Sequence, residues 1–274
     1  MSTIELEAVN SRVMVLRLHR PDVLNAINFT LVSELHAQLD AVATNDECRV
    51  VILTGAGRAF CSGLDLQDWG EVPDVGASPH RKAGSTGQSF LSSLASHIRA
   101  TPQIVLAAVN GPAYGGGFAL SLACDLRVAS STATFCAAFI RTGLTATDVG
   151  ISYFLPRLIG ASRAFDLMVT GRSLVASEAL EMGIVSRVID GATFEQEMYS
   201  LADDIAGFTS IGLRMTKEVM WANLDTPSLE ACLALENRNQ DIANKSEEVR
   251  EYMSRYRDRI TSRRHSSARK PEAR

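Results

Sequence analysis

Ile104-Val105-Leu106-Ala107-Ala108-Val109 runs straight into Asn110-Gly111-Pro112-Ala113-Tyr114-Gly115-Gly116-Gly117, an apolar run followed by a glycine-rich turn. The run is bounded by turn residues and is short for a helix, so it reads as a buried strand. The same arrangement occurs earlier, where Val50-Val51-Ile52-Leu53 precedes Ala59-Phe60-Cys61-Ser62-Gly63-Leu64-Asp65-Leu66. Each glycine segment leads into a sequence able to open a helix. Such a junction presents a backbone N–H to an oxygen carrying developing negative charge. Two such turns can make an oxyanion hole. Neither is a nucleotide motif, because the G-x-G-x-x-G spacing is absent and no Gly-Lys-Ser/Thr follows.

Outward from these turns, residues 3–18 read as two short strands around Val9-Asn10-Ser11. Asn28-Phe29-Thr30 can cap a helix whose Leu31, Leu35, Leu39 and Val42 share one face. A strand at 49–54, a helix near 86–100, a strand at 104–109 and a helix at 116–123 follow, with Leu126–Ala129 and Thr134–Cys136 as further strand candidates. Strands alternating with helices predict an α/β layered architecture. From Ile159 onward the pattern is mostly helical, with segments Ala192–Ala206, Ile211–Trp221, Leu229–Ile242 and Glu247–Ile260. The expected organisation is a core over 1–195, a helical region over 196–260 and a frayed basic tail over 261–274.

At 274 residues, 46% hydrophobic and 21% charged, the chain has the composition of a globular protein with a sizeable core. A net charge of −4 gives no reason to expect nucleic acid as a partner. No stretch approaches the ~20 apolar residues that span a bilayer, and the acidic start Met1-Ser2-Thr3-Ile4-Glu5-Leu6-Glu7 lacks a secretory or mitochondrial pattern. A cytoplasmic location is expected. Cys48, Cys61, Cys124, Cys136 and Cys232 are scattered and odd in number, which fits reduced thiols. The five histidines show no metal-ligand spacing, so no metal site is expected.

These turns closely resemble the enoyl-CoA hydratase/isomerase (crotonase) family. So do Leu18-His19-Arg20-Pro21, Leu24-Asn25-Ala26, Thr170-Gly171-Arg172 and Ala179-Leu180-Glu181-Met182-Gly183-Ile184-Val185. The resemblance covers nearly the whole chain. It implies a crotonase-like α/β fold, a spiral of β-β-α units with a C-terminal helical region over the site and the subunit interface. It also implies a homotrimer or dimer of trimers and an acyl-CoA substrate, coenzyme A being part of the substrate and no separate cofactor being needed. Carried over, the N–H groups of Leu64 and Gly116 hold the thioester oxygen. Leu24, Ala26, Ser62, Asp65 and Leu66 fall along the coenzyme A region, where the cation many members carry before the Asn is replaced by Val23 and Leu24. Arg20 and Arg58 are then candidates for its phosphates, as is a neighbouring subunit.

The family hydratases use two glutamates, and the matching positions here hold Ala119 and Phe139. The nearest replacement acid is Asp148, which matches the catalytic aspartate of the dienoyl-CoA isomerase and aryl-CoA dehalogenase types. As a residue it has two readings: an acid/base, or a cap on a helix running from Thr147-Asp148 to Leu158. Tyr114 and Phe139 would shape the acyl pocket, and Asp65 would fix its turn through backbone hydrogen bonds. Cys61 has no histidine partner in view and is a poor nucleophile candidate. Tyr153 and Arg141 are within conceivable reach of the pocket. The Gly/Pro/Ser-rich segment from Gly70 to Gly87 is either a surface excursion or a lid. The sequence leaves open hydration, isomerisation, thioester hydrolysis and simple acyl-CoA binding.

Overall fold

The two apolar runs lie side by side as parallel strands, Val50 opposite Ile104 and Leu53 opposite Ala107. Around them, the computed structural model describes residues 2–71 and 87–267. In chain order these form β1 (Ile4–Ala8), β2 (Val13–Leu18), α1 (Phe29–Ala43), β3 (Val50–Gly55), α2 (Gly87–Ala100) and β4 (Ile104–Val109). Next come β5 (Ala113–Tyr114), α3 (Gly116–Ala123), β6 (Leu126–Ser130), β7 (Thr134–Cys136), α4 (Ile151–Ile159) and α5 (Ala161–Thr170). The remainder is β8 (Ser173–Val175), α6 (Ala176–Glu181), β9 (Arg187–Ile189), α7 (Phe194–Ala206), α8 (Ser210–Asn223), α9 (Leu229–Lys245) and α10 (Glu247–Ser267).

One sheet has the order β1-β2-β3-β4-β6-β9, antiparallel only between β1 and β2. A smaller sheet has the order β5-β7-β8. Side chains alternate across the large sheet with period two. Val51, Leu53, Val105, Ala107 and Val109 face the core shared with α1, α2 and α3. Val50, Ile52, Leu106 and Ala108 pack with Phe194, Met198, Leu201 and Ala202 of α7. Burial on both faces explains why β3 and β4 read as continuous apolar runs instead of alternating ones. Because β3 and β4 are parallel and in register, the turns that follow them emerge at the same edge, the usual place for a ligand in an α/β sheet.

After Ile159 the chain is mostly helical, as expected, and the short strands β8 and β9 complete the two sheets. Three expectations need correction. The boundary drawn at 195/196 falls inside α7, which the large sheet buries; the compact units are residues 1–206 and 207–274. α10 does not stop at Ile260 but continues to Ser267. No Gly or Pro interrupts 261–267. Finally, α4 begins at Ile151, because Val149 and Gly150 are both left-handed (φ 47° and 82°) and turn the chain before the helix. Most of the expected loop or lid, residues 72–86, lies outside the described residues, as does 268–274.

Candidate active site

The first turn is held by a polar cluster that the sequence places upstream of it. Asn25 is fully buried in a left-handed conformation (φ 57°). Its Nδ2 donates to Ala56 O at 2.9 Å and Ala59 O at 2.8 Å, while its Oδ1 accepts from Arg20 N at 2.9 Å. Arg20 donates to Ala26 O at 2.6 Å and pairs with Asp65 at 2.9 Å. Asp65 Oδ1 accepts from Gln67 N and Asp68 N. Burial raises the Asp65 carboxyl, but those N–H bonds and Arg20 outweigh it, leaving the group below the usual carboxylate range. Asp65 therefore fixes the turn. Arg20, a candidate for a substrate phosphate, is committed to this clamp instead, whereas Arg58 is exposed.

The clamp lays one strand-like strip on another. Ser62 N donates to Leu24 O, Ile27 N to Gly63 O and Asp65 N to Ile27 O, while Ser62 Oγ reaches Val23 O. Leu24, Ala26, Ser62 and Asp65 are thus gathered on one ridge, and Leu66 projects from it, 63% exposed.

The second turn rests directly on the first. Tyr114 N donates to Cys61 O, and Gly115 N to Cys136 O. A Cβ at Gly117 would lie 2.3 Å from Cys61 O, so only glycine allows α3 to start this close. A Cβ at Gly63, where φ is 99°, would lie 2.9 Å from Tyr114 O and 3.6 Å from Gly116 N. Among the described residues, neither Leu64 N–H nor Gly116 N–H finds an acceptor. Gly116 opens α3, so the positive end of that helix adds to its N–H. Two neighbouring backbone donors with no acceptor among the described residues can hold an oxygen that gains charge.

Leu64 also lines an apolar cleft with Ile27, Phe29, Trp69, Leu91 and Gln88. Gln88, in the first turn of α2, donates through Nε2 to Asp148 Oδ1 at 2.5 Å. The same oxygen accepts from Val149 N at 2.7 Å. Asp148 is half-buried, and burial pushes its carboxyl up from the ordinary aspartate value despite the two hydrogen bonds. It does not cap α4, whose N-cap is Gly150 with no side-chain bond. The β-branched Val149 in a left-handed conformation is costly, and such outliers are held in place by their surroundings.

Ala119 is fully buried in α3, and Phe139 is 4% exposed, its ring 3.7 Å from where a Cβ on Gly115 would stand. No carboxylate occupies either place. Tyr114 accepts from Thr134 and Ser173 through its hydroxyl, which ties it to β7 and β8. Cys61 is fully buried, and burial pushes its thiol up to about 12, far from a thiolate. Tyr153 stacks under the Arg157 guanidinium at 3.6 Å, and Arg141 reaches Ser173.

Residues 8–263 match the family model described as enoyl-CoA hydratase/isomerase. The chain belongs to this enoyl-CoA hydratase/isomerase family. It is 41% identical over 239 residues to a probable enoyl-CoA hydratase of Mycobacterium bovis, covering 87% of this chain and 84% of that protein. It is 35% identical over 256 residues to the 1,2-epoxyphenylacetyl-CoA isomerase of Escherichia coli, covering 92% and 94%. A crystal structure of a probable enoyl-CoA hydratase/isomerase from Mycobacterium abscessus superposes with a TM-score of 0.85 at 36% identity, covering 95% of this chain and 97% of that one.

The fold is accordingly the crotonase-like α/β fold with a C-terminal helical region, and the protein is an acyl-CoA-processing enzyme of the hydratase/isomerase type. No helix among the described residues is long and apolar enough to cross a membrane. In this candidate site, Gln88 and Trp69 went unnoticed in the sequence, and Phe29 was read only as part of a helix cap. Gln88 follows a Gly/Ser-rich segment, and nothing in its own surroundings marks it; only the fold brings it to Asp148.

Proposed function

We propose that this enzyme isomerises acyl-CoA thioesters by proton transfer, with Leu64 and Gly116 N–H as the oxyanion hole and Asp148 as the acid/base. The single observation that carries this reading is the Gln88–Asp148 hydrogen bond. It ties a carboxylate to the cleft lined by Leu64 and Gln88, while the two glutamate positions of the hydratases are apolar. Hydration needs one group to orient water and one to protonate carbon, and Ala119 and Phe139 supply neither.

In the proposed step the ionised Asp148 takes a proton from C2 of a 3-enoyl thioester. The electron pair moves through the carbonyl to a dienolate, whose oxygen charge Leu64 and Gly116 N–H stabilise without reorganising. The Asp148 carboxyl exchanges its proton with solvent and delivers a proton at C4, and the double bond ends between C2 and C3. No water enters. A carboxyl whose affinity for protons is raised by burial is a better base than an ordinary aspartate. Leu24, Ala26, Ser62, Asp65 and Leu66 form the ridge along which coenzyme A lies, and Tyr114 and Phe139 shape the acyl end. The likeness to an isomerase acting on 1,2-epoxyphenylacetyl-CoA favours a bulky or ring-bearing acyl group as a second reading of the substrate.

We also place the enzyme in the cytoplasm as a homotrimer or dimer of trimers. Its five free cysteines fit a reducing compartment. In the C-terminal unit, Leu229, Leu233, Ile242 and Tyr256 are exposed apolar side chains of the kind subunit contact would bury.

The test is a panel of 2-enoyl- and 3-enoyl-CoAs, some with aryl groups, incubated in heavy water and read by mass spectrometry. The expected result is double-bond movement with deuterium incorporation and no gain of water. Water addition would make the enzyme a hydratase by another route, and free coenzyme A would make it a hydrolase. Binding without turnover across the panel would favour an acyl-CoA-binding protein.

A further inference from the structure

Each donor of the proposed oxyanion hole belongs to a peptide unit whose carbonyl is held from behind. A trans peptide points its C=O and its N–H in opposite directions, and no cis bond occurs among the described residues. Gly63 O, in the same unit as Leu64 N–H, accepts from Ile27 N at 2.7 Å. Leu64 N–H is therefore aimed away from Ile27 N. On the other flank of Leu64, Asp65 N donates to Ile27 O at 2.9 Å, so Ile27 grips the turn before and after the donor. Gly115 O, in the same unit as Gly116 N–H, accepts from Ala119 N at 3.0 Å in the first turn of α3.

The side chain of the same isoleucine reaches the second donor. A Cβ on Gly116 would stand 2.9 Å from Ile27 Cδ1. Outside α3 and the adjoining residues, no other atom of the described residues comes within 4 Å of that position. Gly116 is not left-handed, so its backbone would accept a side chain; the room for one is taken by the δ-methyl of Ile27. Ile27 is 2% exposed and lines the cleft beside Leu64. A β-branched side chain buried in this way is stiff, and close-packed surroundings feel the loss of a single methyl.

We infer that Ile27 is a positioning residue for both N–H groups: its backbone aims the Leu64 donor, and its δ-methyl sets how closely Gly116 approaches. The inference rests on the reading of Leu64 and Gly116 N–H as the oxyanion hole. Two donors stabilise developing charge only when both lie about 3 Å from the place one oxygen will occupy. Packing that fixes their separation beforehand spares the site from reorganising during the reaction. The bond from Ile27 N also polarises the peptide it holds, which strengthens Leu64 N–H as a donor. Ile27→Val removes Cδ1 and keeps both backbone bonds, so it isolates the side-chain half of this role.

The test is isotope-edited infrared difference spectroscopy of hexanoyl-CoA and phenylacetyl-CoA, labelled with 13C at the thioester carbonyl and bound to the full-length protein. Neither compound can shift a double bond or add water, so the band is read without turnover. In the parent the carbonyl band should fall below its position in the free thioester. Ile27→Val should lose part of that shift. Its turnover of a substrate from the panel above should drop about 10-fold at unchanged KM, less than the loss of a whole donor would cost. Ile52→Val, the same methyl deletion on the α7 side of β3, should keep both. Gly116→Ala should lose more of the shift, and adding Ile27→Val should recover it, because the new Cβ then meets no Cδ1. A lowered parent band left unchanged by Ile27→Val, an equal change in Ile52→Val, or no recovery in the double variant would overturn the positioning role. A parent band that binding leaves unmoved would overturn the oxyanion hole itself, and this role with it.

Discussion

Gln88 and Asp148, sixty residues apart in the chain, meet through a 2.5 Å hydrogen bond at the cleft lined by Leu64. Asp148→Asn keeps a side-chain oxygen for both Gln88 and Val149 N and removes the proposed acid/base. Turnover should fall by about 10²–10⁴-fold while acyl-CoA affinity is kept. Steady-state kinetics beside calorimetric binding would separate the two.

Gln88→Ala removes a hydrogen bond that lowers the Asp148 pKa, against the burial that raises it. The acid limb of kcat/KM, already above the ordinary aspartate range, should therefore move to still higher pH. A pH–rate profile of the variant checks the sign, and an unmoved limb would separate Gln88 from the titrating group.

Stability carries its own signature of Asp148. A carboxyl with a raised folded-state pKa stabilises the fold most below the unfolded value of about 3.9 and loses that contribution as pH rises through the folded one. Asp148→Asn lacks this dependence. Its stability relative to the parent should rise across that window and level off toward neutral pH, as followed by urea denaturation at several pH values.

The Arg20–Asp65 pair holds the first turn, with side chains only 15% and 8% exposed. Arg20→Met strands a buried carboxylate and should cost about 3 kcal/mol at neutral pH in denaturant unfolding. Because the Asp65 pKa is depressed, its contribution is present above the unfolded aspartate value and fades as pH falls through the folded one, so the parent and Arg20→Met should converge in acid.

Gly117→Ala places a Cβ 2.3 Å from Cys61 O, between two backbones that cannot both give way. It should destabilise by about 3 kcal/mol or leave no soluble protein. Thermal unfolding beside Gly143→Ala, a left-handed glycine with open space around it, separates the clash from backbone strain.

Much of this arrangement was legible in the sequence because it is local. The apolar runs that become β3 and β4, the Asn28 cap on α1, whose Oδ1 accepts from Leu31 N at 3.0 Å, and the glycine turns all announce themselves by period or by turn chemistry. The three-residue strands β8 and β9 did not, because they gain their stability from partners far along the chain, β7 and β6. The start of α4 was misplaced because Thr147-Asp148 looks like a cap, whereas the left-handed Val149 and Gly150 take the chain through another turn first. Arg20 looked free because its partner Asp65 lies forty-five positions later, across the turn it stabilises. Gln88 had no local signal at all; its meaning comes from what the fold sets opposite it.

The most direct measurement is deuterium exchange at the acyl α-carbon in heavy water, followed by mass spectrometry for the parent and Asp148→Asn with one 3-enoyl-CoA bound to both. The parent should incorporate deuterium and move the double bond, and Asp148→Asn should do neither while still binding. Exchange that persists undiminished in Asp148→Asn would contradict the assignment of Asp148 as the acid/base.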